Sequence, residues 1–203
     1  HVEYIHGGVS RNVVEDIANI ELRPTFVGIV DDSALGEDVV KKLKNHKVNT
    51  DYVMTMPGGM GTWLAVFDHN GDLAGSISQR PNLMPILGLL EKKGDEIFAN
   101  ADSVIVEVDM DKDIIKKVVA LAKQYNKKLY GVVSNMSIAV ERRDFLKHFD
   151  CFICNQLEAG MLFMEDYADK SPEELRDILS KRVILGKIPA MIVTMGGNGA
   201  VYA

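Results

Sequence analysis

Cysteine is nearly absent: 203 residues hold only Cys151 and Cys154, in the run Cys-Phe-Ile-Cys. A zinc site needs a second ligand pair, and the five histidines are too scattered to supply one. Phe152 and Ile153 read as a buried strand, on which positions three apart point to opposite faces. Both cysteines are therefore expected in the core, where an unpaired thiol behaves as a small hydrophobe. Basic charge is not in excess either. The 23 Lys and Arg against 29 Asp and Glu give a net charge of −6, the wrong sign for a nucleic-acid surface. No apolar run is long enough to span a bilayer and no secretory leader is visible, so a cytoplasmic protein without a membrane partner is expected. Internal repeats and low-complexity segments are missing, and no Gly-Lys-Ser or Gly-Lys-Thr marks a Walker loop.

What is present is the balance of a soluble globular chain, 47% hydrophobic and 26% charged, long enough to bury one domain or a domain with a small appendage. The chain opens on His1 and closes on a sheet-like run, Met191 to Ala203, so it is expected to be part of a longer protein.

From Ser103 onward short apolar runs alternate with amphipathic ones. Val104–Val106, Leu129–Val133, Cys151–Cys154 and Ala190–Thr194 read as strands. Helices are expected over Lys112–Tyr125, Ala139–His148, Leu157–Met164 and from Ser171 to Ser180, the last opened by Ser-Pro-Glu-Glu. Alternation of this kind predicts a parallel sheet covered on both faces. A helix after Asn12, a strand Thr25–Val30 and a helix Leu35–Asn45 form another α/β unit. The stretch Asp51 to Ser78 differs: its short β-rich runs, with Asn70-Gly71 as a hairpin turn, predict a β insertion. Trp63 and Phe67 share one face of it, which either packs or covers a ligand or a dimer contact.

Several clusters carry candidate chemistry, each with a plainer alternative. Gly7-Gly8-Val9-Ser10-Arg11-Asn12 enters a helix; paired glycines admit a ligand close to backbone and Asn12 offers hydrogen bonds to hydroxyls, or the run is a turn and a polar helix start. Asn155-Gln156-Leu157-Glu158 follows a strand end, where open parallel sheets bind ligands; it suits phosphate-bound Mg²⁺ through water, or is a helix cap. Thr194-Met195-Gly196-Gly197-Asn198-Gly199 suits nucleotide phosphates, or is a turn between strands. Asp31-Asp32-Ser33 with Gly36-Glu37 reads as capping rather than as a metal site. Glu107 and Asp109 also follow a strand; Asp109 suits a sugar hydroxyl or a helix cap.

The order of these clusters along the whole chain resembles the ribokinase (PfkB-type) carbohydrate kinase family. Within it, Gly7–Asn12 and Gly61-Thr62-Trp63-Leu64-Ala65-Val66 are most similar to the pseudouridine kinases. The resemblance implies a three-layer α/β/α ribokinase-like fold with a mostly parallel sheet, an α/β core over residues 9–48 and 81–203, and a β lid over 1–8 and 49–80. It implies ATP and Mg²⁺ as cofactors, and phosphoryl transfer to a primary hydroxyl of a sugar or nucleoside. Gly7, Gly8, Asn12, Thr62 and Asp109 would hold that small-molecule substrate; Asn155, Thr194, Gly196 and Gly199 would hold the nucleotide, with Glu158 toward the metal. The lid would double as a homodimer surface.

The chain also departs from the family pattern. Asp31-Asp32-Ser33 stands for Gly-Asp-Asp, Ile20-Glu21 for Leu-Gly, Ser78–Pro81 for an acid after the lid, and Gly131–Ser134 for Asp-Pro-Val-Ser. No Gly-Ala-Gly-Asp segment occurs before Ala203, so the catalytic base is expected beyond it and residues 1–203 alone are expected to be inactive. The opening strand that supplies a sugar-binding Asp in the family is missing as well. A generic ribokinase or fructokinase, or a non-catalytic ligand-binding protein on the same fold, are the alternatives.

Overall fold

The structure, a computed structural model, describes residues 5–69 and 73–203. The expected Asn70-Gly71 turn and residues 1–4 of the expected lid lie outside the described residues. The chain divides into two compact units, one of residues up to Gly7 with Arg11–Leu89, the other of Gly8–Ser10 with Leu90–Ala203.

The second unit is built on a five-stranded sheet in chain order: β5 (Ser103–Glu107), β6 (Lys128–Val132), β7 (Cys151–Asn155), β8 (Met191–Thr194) and β9 (Ala200–Tyr202). The first four strands run parallel, because each is joined to the next by a helical crossover; β9 returns antiparallel after a short turn. The crossovers carry α4 (Lys112–Gln124), α5 (Met136–Val140), α6 (Gln156–Phe163) and α7 (Pro172–Gly186). Cys151 and Cys154 are both buried and unpaired, although they face opposite sides of β7, so both faces of the sheet are covered. Burial pushes both thiols up from their ordinary range. On α4 the apolar residues at helical spacing, Ile114, Ile115, Val118, Val119 and Leu121, are all buried, as their periodicity predicts.

Two helices differ from expectation. The one expected over Ala139–His148 divides into α5, capped by Asn135, and a 3₁₀ turn over Arg143–His148. The charged run from Glu141 to Asp144 offers no apolar stripe, and only Met136, Ala139 and Leu146 turn inward. Helix α7 runs past Ser180 to Gly186, because Val183 continues the buried row of Leu175 and Leu179; Lys187, left-handed at φ 53°, ends it.

The first unit contains α1 (Val9–Asn19) from Arg11 onward, β1 (Thr25–Val30), α2 (Ala34–Asn45), β2 (Asn49–Thr55), β3 (Thr62–Phe67) and β4 (Leu73–Gln79). Its core gathers Val14, Val30, Val39, Leu43 and Val48, with Phe26, Val53 and Met60 packed on them. Asn49–Thr55, expected to begin the β insertion, instead pairs in parallel with β1 across α2. Alternation along a short strand does not reveal its partner; the helix in the connection does. The antiparallel hairpin β3–β4 is what remains of the insertion. Asp31-Asp32-Ser33 caps α2: Ser33 Oγ accepts from the Gly36 amide at 3.3 Å and donates to Asp31 Oδ1 at 2.6 Å. Helix α3 (Met84–Ala99) is an addition to the elements expected, with Ile86, Leu90 and Phe98 buried at multiples of four. Among the described residues no helix is long and apolar enough to cross a membrane.

Candidate functional site

The carboxyl ends of β7 and β8 bring two motifs side by side. Asn155 and Thr194 are the last residues of adjacent parallel strands and face each other in register. Asn155 is also the N-cap of α6: its Oδ1 accepts from the Glu158 amide at 2.8 Å, and Glu158 Oε2 accepts from the Asn155 amide at 2.7 Å. The capping box thus forms, and it leaves the second carboxylate oxygen and the Asn155 side-chain amide outside the cap. Gln156 anchors the following loop through its amide, which donates to the carbonyls of Tyr167, Ala168 and Lys170.

After Thr194 the chain makes a 3₁₀ turn over Gly196–Asn198 and re-enters the sheet as β9. Gly196 and Gly199 take φ of 56° and 84°, the left-handed region that glycine tolerates. The turn is closed by the amides of Met195, Asn198 and Gly199, a set that does not include those of Gly196 and Gly197. The turn reading of this motif is therefore realised, and it holds glycine backbone open at a strand end, where anions bind.

The donors present fit Mg²⁺ only in an outer role. Among the described residues no group of three His, Cys, Asp or Glu gathers. A hard cation at Glu158 would keep its ligands from water and phosphate, with the one carboxylate steering them.

Asp109 lies beyond β5 and is, among the described residues, the buried charged residue of the core, 2% exposed. Its Oδ1 accepts from the Ser134 amide at 3.1 Å and its Oδ2 from the Ser134 hydroxyl at 2.9 Å. Both oxygens take part in tying the end of β5 to the loop after β6. Glu107, the last residue of β5, is half-buried and its Oε1 accepts from the Ser10 amide at 2.9 Å. Ser10 lies in the first turn of α1, where backbone N–H groups lack helical partners, and no acidic residue of α1 itself is there. Glu107 therefore supplies the negative charge to the helix end just after Gly8, whose φ is 98°.

In the first unit, Arg11 connects Gly7 and Asn12. Its guanidinium donates to the Gly7 carbonyl at 2.8 Å, to the His6 carbonyl at 2.6 Å and to Asn12 Oδ1, and it pairs with Glu15 at 2.5 Å. Thr62 opens β3, exposed and opposite Gln79; among the described residues no hydrogen bond joins it to Gly7 or Asn12. The roles of Glu107, Ser134 and Arg11 were not assigned from sequence. Glu107 and Arg11 stand beside assigned residues, which is the one signal that marks them. A cavity of about 420 Å³ between the 3₁₀ turn at Arg143–His148 and α7 contains none of the motif residues. The candidate site is an open strand-end surface.

The chain is 30% identical over 204 residues to guanosine-inosine kinase of Exiguobacterium acetylicum, covering 99% of this chain and 66% of that protein. It is 20% identical over 203 residues to ribokinase of Schizosaccharomyces pombe, covering 97% of this chain and 63% of the relative. The chain thus spans just under two thirds of the length of these relatives. The structure of Arabidopsis thaliana ribokinase complexed with ribose and ATP superposes with a TM-score of 0.77 at 18% identity, over 97% of this chain and 62% of that one. That likeness establishes the α/β ribokinase-like fold expected from the order of the motifs. The profile of the pfkB family carbohydrate kinases matches residues 1–203 in full, and with the strand-end motifs in place the chain belongs to that family.

Proposed function

We propose that the complete protein transfers the terminal phosphoryl group of ATP to a primary hydroxyl of a ribonucleoside. The observation that carries this reading is the register pair Asn155 and Thr194, which sets a helix start and a glycine turn together at the carboxyl ends of two parallel strands. Asn155, Thr194, Gly196 and Gly199 hold the nucleotide, and Glu158 faces the Mg²⁺ that screens its phosphates. Gly7, Gly8 and Asn12 cradle the acceptor, with Thr62 contributing from the hairpin. Asp109 is the acceptor's carboxylate partner in this reading, its two hydrogen bonds to Ser134 orienting a carboxylate that can accept about four. Catalysis then rests on positioning and charge stabilisation.

A purine nucleoside is favoured by the likeness to a guanosine-inosine kinase at 30% identity over nearly the whole chain. Pseudouridine is the second reading, favoured by Gly7–Asn12 and Gly61–Val66. Free ribose or fructose is the coarser alternative. Steady-state phosphorylation of inosine, guanosine, pseudouridine, adenosine, ribose and fructose by the complete protein separates them. Inosine and guanosine are expected to give the highest kcat/KM; turnover of free sugars alone would remove the nucleoside claim, and turnover of none would leave a ligand-binding protein.

The hairpin β3–β4 is the lid in this reading and the homodimer surface. Support comes from its two faces: Trp63 and Phe67 are exposed on one, Leu64, Val66 and Ile77 on the other. A hairpin apolar on both sides is covered on each, by acceptor on one and a second copy on the other.

A further inference from the structure

We propose that Arg11 is a positioning residue for the acceptor site, acting by fixing the orientation of the Asn12 side chain and the path of the Gly7 backbone. This rests on the reading of Gly7, Gly8 and Asn12 as the acceptor cradle. A guanidinium has only donors, so the Asn12 atom that meets it is the oxygen, Oδ1. The amide is thereby locked in one of its two flipped orientations, with Nδ2 directed away from Arg11 as a donor. Asn12 is exposed, and a donor presented there selects an acceptor oxygen on the ligand.

The same guanidinium takes the carbonyls of His6 and Gly7, at 2.6 and 2.8 Å. Those two carbonyls precede Gly8, the position whose positive φ turns the chain into α1. Packing does not demand a glycine at Gly7, since an added Cβ would meet nothing within 4 Å. The segment is held from one side by Arg11 while its other side stays open. Arg11 is itself held: its side chain is 11% exposed and Glu15, one turn on, balances its charge. A planar fork that reaches two carbonyls, an amide oxygen and a carboxylate at once is beyond a lysine, whose ammonium is a single point charge.

The test is a double-mutant cycle in the complete protein, with Arg11→Lys, Asn12→Ala and both together. KM for the nucleoside, KM for ATP, kcat and Tm are measured for each. Arg11→Lys keeps the charge opposite Glu15, so Tm should move little, and KM for the nucleoside should rise roughly tenfold, as the loss of one oriented hydrogen bond requires. KM for ATP should not change. The double variant should lose clearly less than the sum of the two single losses, because part of what Arg11 does passes through Asn12. Additive losses, or Arg11→Lys with the wild-type nucleoside KM beside a damaged Asn12→Ala, would overturn the inference while leaving the cradle intact. Asn12→Ala with the wild-type nucleoside KM would overturn the cradle reading itself, and the inference with it. If Arg11→Lys lowers Tm, methylguanidine added to Arg11→Ala provides the second measurement; recovery of the nucleoside KM supports positioning, and no recovery with a folded protein contradicts it.

Discussion

The sheet β5–β9 and the hairpin β3–β4 use similar residues and end in opposite states. In β7, Cys151, Phe152 and Cys154 are all buried, with Phe152 fully inaccessible, because helical crossovers cover both faces. In the hairpin, Trp63 is 60% and Ile77 71% exposed, although β3 is as apolar as β7. Apolar side chains stabilise only what covers them. The sheet carries its cover in its own helical connections, whereas among the described residues Trp63, Leu64, Val66, Phe67 and Ile77 of the hairpin stay exposed. The contrast separates the two regions: the sheet is a covered scaffold and the hairpin is surface.

Substitutions should expose that difference. Phe152→Ala removes a fully buried ring that packs beside Gly131, and should cost about 3–5 kcal/mol in urea unfolding. A loss below about 1 kcal/mol would mean the sheet is not the scaffold. Asp150→Asn is an intermediate case at the amino edge of the same sheet. Asp150 accepts from Lys128 at 2.5 Å and from the Leu129 amide at 2.9 Å. Burial works to raise its carboxyl, but the Lys128 ammonium and the Leu129 amide outweigh it and hold it below the usual carboxylate range. A group depressed in the folded state stabilises above its unfolded value, about 3.9, and loses that contribution as pH falls toward the folded one. Because the pair is partly solvated, Asp150→Asn should cost about 1 kcal/mol at neutral pH, and the difference from wild type should close on acidification. A difference that persists with Asp150 protonated would put its origin elsewhere. Ile77→Asn on the hairpin should change the stability of the single chain by less than about 0.5 kcal/mol, and if the proposed homodimer forms through this face, sedimentation should show it lost to monomer. A large drop in stability of the monomer would show that the hairpin face is part of a core.

Much of the second unit was legible in sequence for a physical reason. Strands buried on both faces appear as short apolar runs, and the helices between them repeat with a clear period, so β5 to β8 and α4 stood out. Helix α3 did not, because Pro85, Gly88 and Gly94 interrupt its pattern although Ile86, Leu90 and Phe98 keep the buried row. The parallel pairing of β2 with β1 was hidden, since a strand's own residues do not name its partner. The site was legible as types and order but not as contacts. That Asn155 lies beside Thr194 follows from strand register, which no spacing announces. That Asp109 is held by Ser134 follows from two loops meeting across adjacent strands, 25 residues apart.

The central claim is that the carboxyl ends of β7 and β8 form one nucleotide site, and binding of a non-hydrolysable ATP analogue with Mg²⁺ tests it most directly. Calorimetry on the complete protein, its Asn155→Ala variant and its Thr194→Val variant is the measurement. Each substitution should weaken the analogue by roughly tenfold, the effect of removing one oriented polar contact to a charged ligand. Nucleotide affinity unchanged in both variants, with the fold intact, would contradict the account.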